Sequence, residues 1–229
     1  MDLSELISKI SLVIFDMDGV LVDTEPIYLK VEKDLIGRYG KEIPSDLIER
    51  IKGSSLLRSM KIMLSELGIE GDCEELVEEE RRMLRDRFEN EEIKPMPCAL
   101  DTVNWFSSHG FKIALATSTE WENATLILSK LGIEDYFDHI TTGDQVEESK
   151  PNPEIYLKTA KVMEVNPASC FVVEDSLNGI KSARSAGMNV VAVNVRRDIR
   201  DEFLKLTPFV FNSMCELLDG LLKIRGACE

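Results

Sequence analysis

Histidine is nearly absent, with only His109 and His139 in 229 residues. An HExxH metallopeptidase motif is therefore excluded, and a Ser-His-Asp relay has little to work with. The five cysteines, Cys73, Cys98, Cys170, Cys215 and Cys228, are odd in number and never spaced as CxxC. That pattern disfavours both a disulfide framework and a zinc site, so reduced thiols in a cytoplasmic protein are expected. No apolar run approaches the roughly 20 residues that a membrane span needs. The opening segment MDLSELISKI is polar and acidic, unlike a secretory signal or an Arg-rich transit peptide. Positive charge is scarce too: 27 Lys and Arg face 42 Asp and Glu, a formal net charge of -15. A phosphate backbone would meet repulsion over most of such a surface, so neither nucleic acid nor membrane is an expected partner. An anionic substrate must find a local positive site.

What the chain does have is an ordinary globular composition, 44% hydrophobic and 30% charged. From Phe111 onward, short β-rich runs alternate with amphipathic segments: FKIALAT, WENATLILSKLG, DHITTG, PEIYLKTAKVM, CFVVED, SLNGIKSARSAG, NVVAVNV and PFVFN. Such alternation predicts βαβ crossovers and a parallel sheet covered on both faces. Between about residues 25 and 93 the pattern is helical throughout, in YLKVEKDLIGRYG, DLIERIKG, LLRSMKIMLSELG and CEELVEEERRMLRDRF. Asp23 or Thr24 is the expected N-cap of the first of these, with Pro26 in its first turn. KPMPCA, with Pro95 and Pro97, reads as an extended exit before a helix starting near Cys98. The fold class is thus α/β: a doubly wound, Rossmann-like parallel sheet core from residues 1–23 and 95–229, with an all-helical cap from residues 24–94.

In such a sheet the active site lies beyond the carboxyl ends of the strands. SLVIFD ends on Asp16, followed by Asp18 and Gly19; FKIALAT ends on Thr117, followed by Ser118; CFVVED ends on Glu174 and Asp175; Lys150 stands in EESKPNPEIY. Two carboxylates as close as Asp16 and Asp18 repel, and only a cation, a proton or solvent relieves them. An EF-hand is excluded by spacing, since Gly19 comes too early and Ile27 sits where the bidentate Glu should be. A DxD of the glycosyltransferase kind would leave the other three clusters without a purpose.

In that order the motifs resemble the haloacid dehalogenase superfamily of phosphotransferases. Asp16-Met17-Asp18-Gly19-Val20 matches its first motif, Thr117 the second, Lys150 the third and Glu174-Asp175 the fourth. The likeness is to its helical-cap subgroup of small-molecule phosphatases and β-phosphoglucomutases, through FDMDGVLVDTEP, KPNPEIYL and VVEDSLNGIKSARSAGM. The resemblance implies a nucleophilic Asp16, an acid/base Asp18 and a Mg²⁺ site drawing on Asp16, Asp18 (through its backbone carbonyl), Glu174 and Asp175. It also implies phosphoryl contacts from Thr117, Ser118 and Lys150, and a cap loop Lys52-Gly53-Ser54 whose Lys52 reaches the substrate. The implied substrate is a small phosphorylated metabolite, a sugar phosphate or a nucleotide-derived monophosphate, and the expected enzyme is a cytoplasmic monomer. Tyr28 and Leu56 stand where the mutases usually carry His and Arg, which favours a phosphatase over a mutase. A phospho-accepting signalling module is the reading from another class, but such modules lack both the second carboxylate and the helical insert. Glu120 and Trp121 replace small residues of the family pattern, with Trp121 read as core and Glu120 as a helix N-terminal charge; Cys98 stands where the family often has Gly. Hinges are expected at Val22 to Glu25 and Lys94 to Cys98.

Overall fold

The computed structural model describes residues 2–225. Five parallel strands form one sheet in the order β3-β2-β1-β4-β5. They are β1 (Leu12–Phe15), β2 (Lys112–Ala116), β3 (His139–Thr141), β4 (Cys170–Glu174) and β5 (Asn189–Ala192). The first strand in sequence is central: Ile14 pairs with Ala114 on one side and with Val172 on the other. Strand pairing therefore brings the ends of β1, β2 and β4 together, as the strand-helix alternation predicts.

Side chains alternate across a strand, so β1 serves two cores. Val13 and Phe15 point into one, with Phe106, Phe171 and Leu217, and Leu12 and Ile14 into the other, with Tyr156, Ile180 and Phe203. The first core is closed by α1 (Leu3–Ile7), α6 (Ala99–Ser108), α7 (Trp121–Leu131) and α11 (Met214–Arg225). The second is closed by α8 (Glu154–Val162), α9 (Leu177–Ser185) and α10 (Arg200–Leu204).

Between β1 and β2 the chain is helical only: α2 (Glu25–Gly37), α3 (Ser45–Ile51), α4 (Leu56–Leu67) and α5 (Cys73–Asn90). Local chemistry sets these boundaries. Asp72 accepts from the N–H groups of Glu74 and Glu75 at 2.9 and 3.1 Å to start α5, and Gly68, at φ +62°, ends α4 in the left-handed conformation. The two linkers to this block run side by side, with Asp23 N–H donating to Lys94 O at 3.0 Å and Met96 N–H to Leu21 O at 2.9 Å.

Four expectations need correction. PFVFN forms a single bridge, Ala192 to Val210, and no strand. The thiols are not all reduced: Cys98 and Cys215 form a disulfide across 117 residues. Packing of α6 on α11 brings their Cα atoms to 5.0 Å, within bridging reach, and sequence spacing carries no trace of this. Cys228 lies outside the described residues. Cys98 takes φ 61°, which accounts for a position where Gly is favoured. Trp121 is not core but 43% exposed, because it opens α7 on its outer side. Finally, Thr24 is the N-cap residue of α2, as expected, but its side chain makes no capping bond; its hydroxyl is used elsewhere.

Inside the helical block, Glu80 on α5 is fully buried and neither carboxylate oxygen has a hydrogen-bond partner. Burial, then the neighbouring Glu32 on α2, push its pKa up to about 8, with Arg81 opposing. Glu80 thus keeps its proton in the folded chain long after the unfolded chain has released it. Its contribution is complete below about pH 4.5 and is lost as pH rises through about 8. Urea denaturation at about pH 5 and pH 8 should show wild type losing on the order of a few kcal/mol across that interval, and Glu80→Gln losing distinctly less.

Candidate active site

Asp16 follows β1 directly and is only 4% exposed. Lys150 reaches it from the loop before α8, its Nζ 2.6 Å from Asp16 Oδ1, 2.7 Å from Glu174 Oε1 and 3.2 Å from Ala116 O. A lysine that is 1% exposed between two carboxylates stays protonated: burial disfavours its charge, but Asp16 and Glu174 outweigh it and raise its pKa well above normal. Glu174 is fully committed. Tyr156 Oη donates to Oε1 at 2.8 Å, while the Asp175 and Ser176 N–H groups and the Ser176 hydroxyl donate to Oε2 at 3.0 to 3.1 Å. Burial alone would raise the Glu174 pKa, but Lys150 and these donors bring it below the usual value. At Asp16 burial wins over Lys150 and the pKa stands well above normal.

Asp175 lies beside them, and its pKa is pushed up to about 7 by burial, against the pull of Lys52. Asp16, Glu174 and Asp175 each place a carboxylate oxygen within 4.8 Å of the others. The donor set is buried, hard and anionic, and the two ammonium groups at hand, Lys150 and Lys52, face four carboxylates once Asp18 is included. Such a set fits Mg²⁺. Because both Glu174 oxygens are occupied, Asp16 and Asp175 are the side chains free to hold the ion directly, with Glu174 bracing them. Close backbone approach is built in. A Cβ on Gly19, at φ +74°, would fall 2.0 Å from Asp175 Oδ2, and one on Gly179 would fall 1.7 Å from Glu174 Oε1.

Asp18 has different surroundings. Its carboxylate accepts from the hydroxyls of Thr24 at 2.5 Å, Thr119 at 2.7 Å and Thr117 at 3.2 Å. Tyr28 Oη lies 2.8 Å from Thr119 Oγ1 and extends the network. Burial raises the Asp18 pKa, against these three hydroxyls. The side chain of Asp18 therefore faces the threonines, apart from the Asp16, Glu174 and Asp175 group.

The helical block sits over this end of the sheet. Lys52 pairs with Asp175 at 2.7 Å and also with Glu25. The Ser118 hydroxyl donates to Gly53 O at 2.8 Å, and Asn178 Nδ2 donates to the carbonyls of Arg50 and Lys52, both at 2.8 Å. Arg81 on α5 holds Glu120 at the start of α7 at 2.6 to 2.8 Å. All eight residues singled out from sequence thus border one site, but Ser118 meets the Gly53 carbonyl and Lys52 a carboxylate. Sequence reasoning missed Thr24, Thr119, Tyr156, Ser176 and Asn178. Thr119 had a signal, two residues past Thr117 at a strand end, and Tyr156 and Asn178 had one in KPNPEIYL and VVEDSLNGIKSARSAGM, although nothing in the sequence shows that the partners of Asn178 are the carbonyls of Arg50 and Lys52.

Residues 13–193 match the family model described as haloacid dehalogenase-like hydrolase. The chain belongs to the haloacid dehalogenase-like hydrolases. Among members of this family, it is 39% identical over 179 residues to a phosphorylated carbohydrates phosphatase of Thermotoga maritima, covering 77% of this chain and 81% of that one. It is 32% identical over 183 residues to the fructose-1-phosphate phosphatase of Escherichia coli, covering 80% and 95%. A solved structure of β-phosphoglucomutase from Clostridium difficile superposes with a TM-score of 0.79 at 28% identity, over 93% of this chain and 98% of that one. The α/β fold is that of haloacid dehalogenase-like proteins.

The buried cluster dictates its own test. Replacing Lys150 by Met leaves Asp16 and Glu174 without their cation, which should cost about 3–5 kcal/mol of unfolding free energy by urea titration. The exposed Lys9→Met should change it by under about 1 kcal/mol. A loss below about 1 kcal/mol for Lys150→Met would contradict the assignment of Lys150 as the counter-charge.

Proposed function

We propose that this haloacid dehalogenase-like hydrolase is a Mg²⁺-dependent phosphatase acting on a small phosphorylated metabolite, a sugar phosphate or a nucleotide-derived monophosphate, through an aspartyl-phosphate on Asp16. Residues 1–23 and 95–229 form the catalytic core and residues 24–94 the cap, hinged at Val22 to Glu25 and Lys94 to Cys98. The observation that carries this reading is the Asp16-Lys150-Glu174 bridge with Asp175 alongside, four groups from three separate segments meeting at the strand ends. Asp16 and Asp175, with Glu174 behind them, would hold Mg²⁺, which would supply neutralisation of the negative charge gathered there.

Asp16 attacks phosphorus and the ester oxygen departs. Asp18 gives its proton to that oxygen, then takes one from the water that cleaves the aspartyl-phosphate. Thr24, Thr117 and Thr119 orient the Asp18 carboxyl between these transfers. Lys150 offsets charge on Asp16 and the phosphoryl group, and the hydroxyls of Thr117 and Ser118 hold the remaining oxygens. Lys52, carried by the cap and paired with Asp175, adds positive charge only at the phosphoryl end of the substrate. The cap excludes stray water while the phosphoenzyme exists.

The relatives' names support a carbohydrate-type substrate, and Tyr28 in place of a proton-donating His supports hydrolysis over phosphoryl return. A mutase is the second reading, suggested by the likeness to the β-phosphoglucomutase structure. The test is phosphate release from sugar phosphates and nucleoside monophosphates, β-glucose 1-phosphate among them, with and without Mg²⁺. Release should require Mg²⁺, and Asp16→Asn and Asp18→Ala should each reduce kcat by about a thousandfold or more while leaving the fold intact. Robust turnover by Asp16→Asn would refute the nucleophile, and conversion of β-glucose 1-phosphate to glucose 6-phosphate would establish the mutase instead.

A further inference from the structure

The cap and the strand ends enclose a cavity of about 360 Å³ that opens onto Asp16 and Asp18. Beyond Asp16, Asp18 and Asp175 its wall is acidic: Asp23, Glu25, Glu32, Glu49 and Glu120 line it, and among the described residues no arginine does. The one lysine there, Lys52, is already committed to Asp175 and Glu25.

Glu32 differs from the other four. Glu25, Glu49 and Glu120 have basic partners, in Lys52, Arg196 and Arg81. Asp23 is exposed to solvent. Glu32 is 8% exposed and has neither a hydrogen bond nor an ion pair, although its side chain borders the cavity. Unlike those of Glu80, its oxygens are not sealed off, so whatever satisfies them must come from the cavity. Nothing behind Glu32 can serve: Glu80, which acts on it through charge, is itself an unpartnered carboxylate. Burial pushes the Glu32 pKa up to about 7, as expected of a carboxyl awaiting a partner. The remaining wall is apolar, from Leu29, Ile48, Ile51 and Leu56, and would pack against the carbon skeleton of a ligand.

We propose that Glu32 is a specificity-determining residue that accepts hydrogen bonds from the leaving group, so that the substrates are monophosphates of polyols or amino-polyols and bisphosphates are excluded. The proposal rests on the phosphatase reading, and it names the half of the substrate that reading leaves open. A hydroxyl or ammonium group donates to Glu32 and satisfies it. A second phosphate in the same place meets Glu32 and its acidic neighbours with no free cation to receive it.

The experiment compares a hexose monophosphate, the corresponding amino-hexose monophosphate and the bisphosphate of the same hexose, on wild type and on Glu32→Gln, which keeps the shape and removes the charge. With Mg²⁺, wild type should favour the monophosphates over the bisphosphate by about a hundredfold in kcat/KM. Glu32→Gln should cut that preference by about tenfold or more, mainly through a higher KM for the monophosphates. A purely structural role would lower activity on all three alike. An amino compound favoured by wild type but not by Glu32→Gln identifies ammonium as the donor, and equal use of both monophosphates identifies hydroxyl. The proposal is overturned if the bisphosphate is used as well as the monophosphates, or if Glu32→Gln leaves the ratio unchanged. If no ester is hydrolysed, p-nitrophenyl phosphate included, the phosphatase reading fails. Calorimetric binding of the same compounds then decides the subsite by the same ratio.

Discussion

Lys150 is the point on which the site depends. Two carboxylates, Asp16 and Glu174, come from adjacent strands and are buried side by side, an arrangement that is strongly unfavourable without a compensating charge. The lysine supplies that charge from a third segment. Its Nζ also donates to Ala116 O at the end of β2, so one ammonium group joins three neighbouring strand ends. Everything else at the site is arranged around the negative charge that Lys150 leaves uncompensated. Asp175 meets Lys52 from the cap, Glu174 is surrounded by hydroxyl and N–H donors, and Asp18 is set apart among threonines. The result is two neighbouring acids with unlike environments, the contrast on which the proposed division into nucleophile and proton carrier rests.

The helical block adds a second layer of selection. Its contacts to the core are mostly backbone carbonyls or ion pairs, namely Gly53 with Ser118, Arg50 and Lys52 with Asn178, and Arg81 with Glu120. Such contacts are polar and exchangeable with water, as the proposed opening to admit substrate requires. The apolar interior of the block, from Val31 and Leu35 to Leu84 and Phe88, keeps it rigid in itself. Within that interior Glu32 and Glu80 are the buried carboxyl groups among the described residues, and of the two only Glu32 borders the cavity.

Much of this was legible in the sequence, because the signals were either periodic or punctuated. Strands such as SLVIF and CFVVE ended abruptly in acids, and the four helices between β1 and β2 announced themselves by spacing. What escaped depended on three-dimensional proximity alone. The bond between Cys98 and Cys215 follows from how α6 meets α11, and the pairing of the two linkers from how the block returns to the core. Thr24 reads as a cap residue, yet its hydroxyl goes to Asp18, since a threonine beside a buried carboxylate finds a stronger acceptor there than at a helix end. PFVFN has the composition of a strand but meets only the edge of β5, where a single bridge is enough to anchor it.

The central position of β1 bears on how the molecule is made. Its two sheet neighbours lie about 100 and about 160 residues further along the chain, whereas the helical block makes its contacts among near neighbours in sequence. On a ribosome the block can therefore gain structure first, while the opening strand waits for most of the polypeptide to emerge. Asp16 and Glu174 are brought face to face only when β4 docks, and Lys150 has by then already been synthesised. The order of the segments ensures that the most repulsive pair in the protein is never assembled before its counter-charge exists.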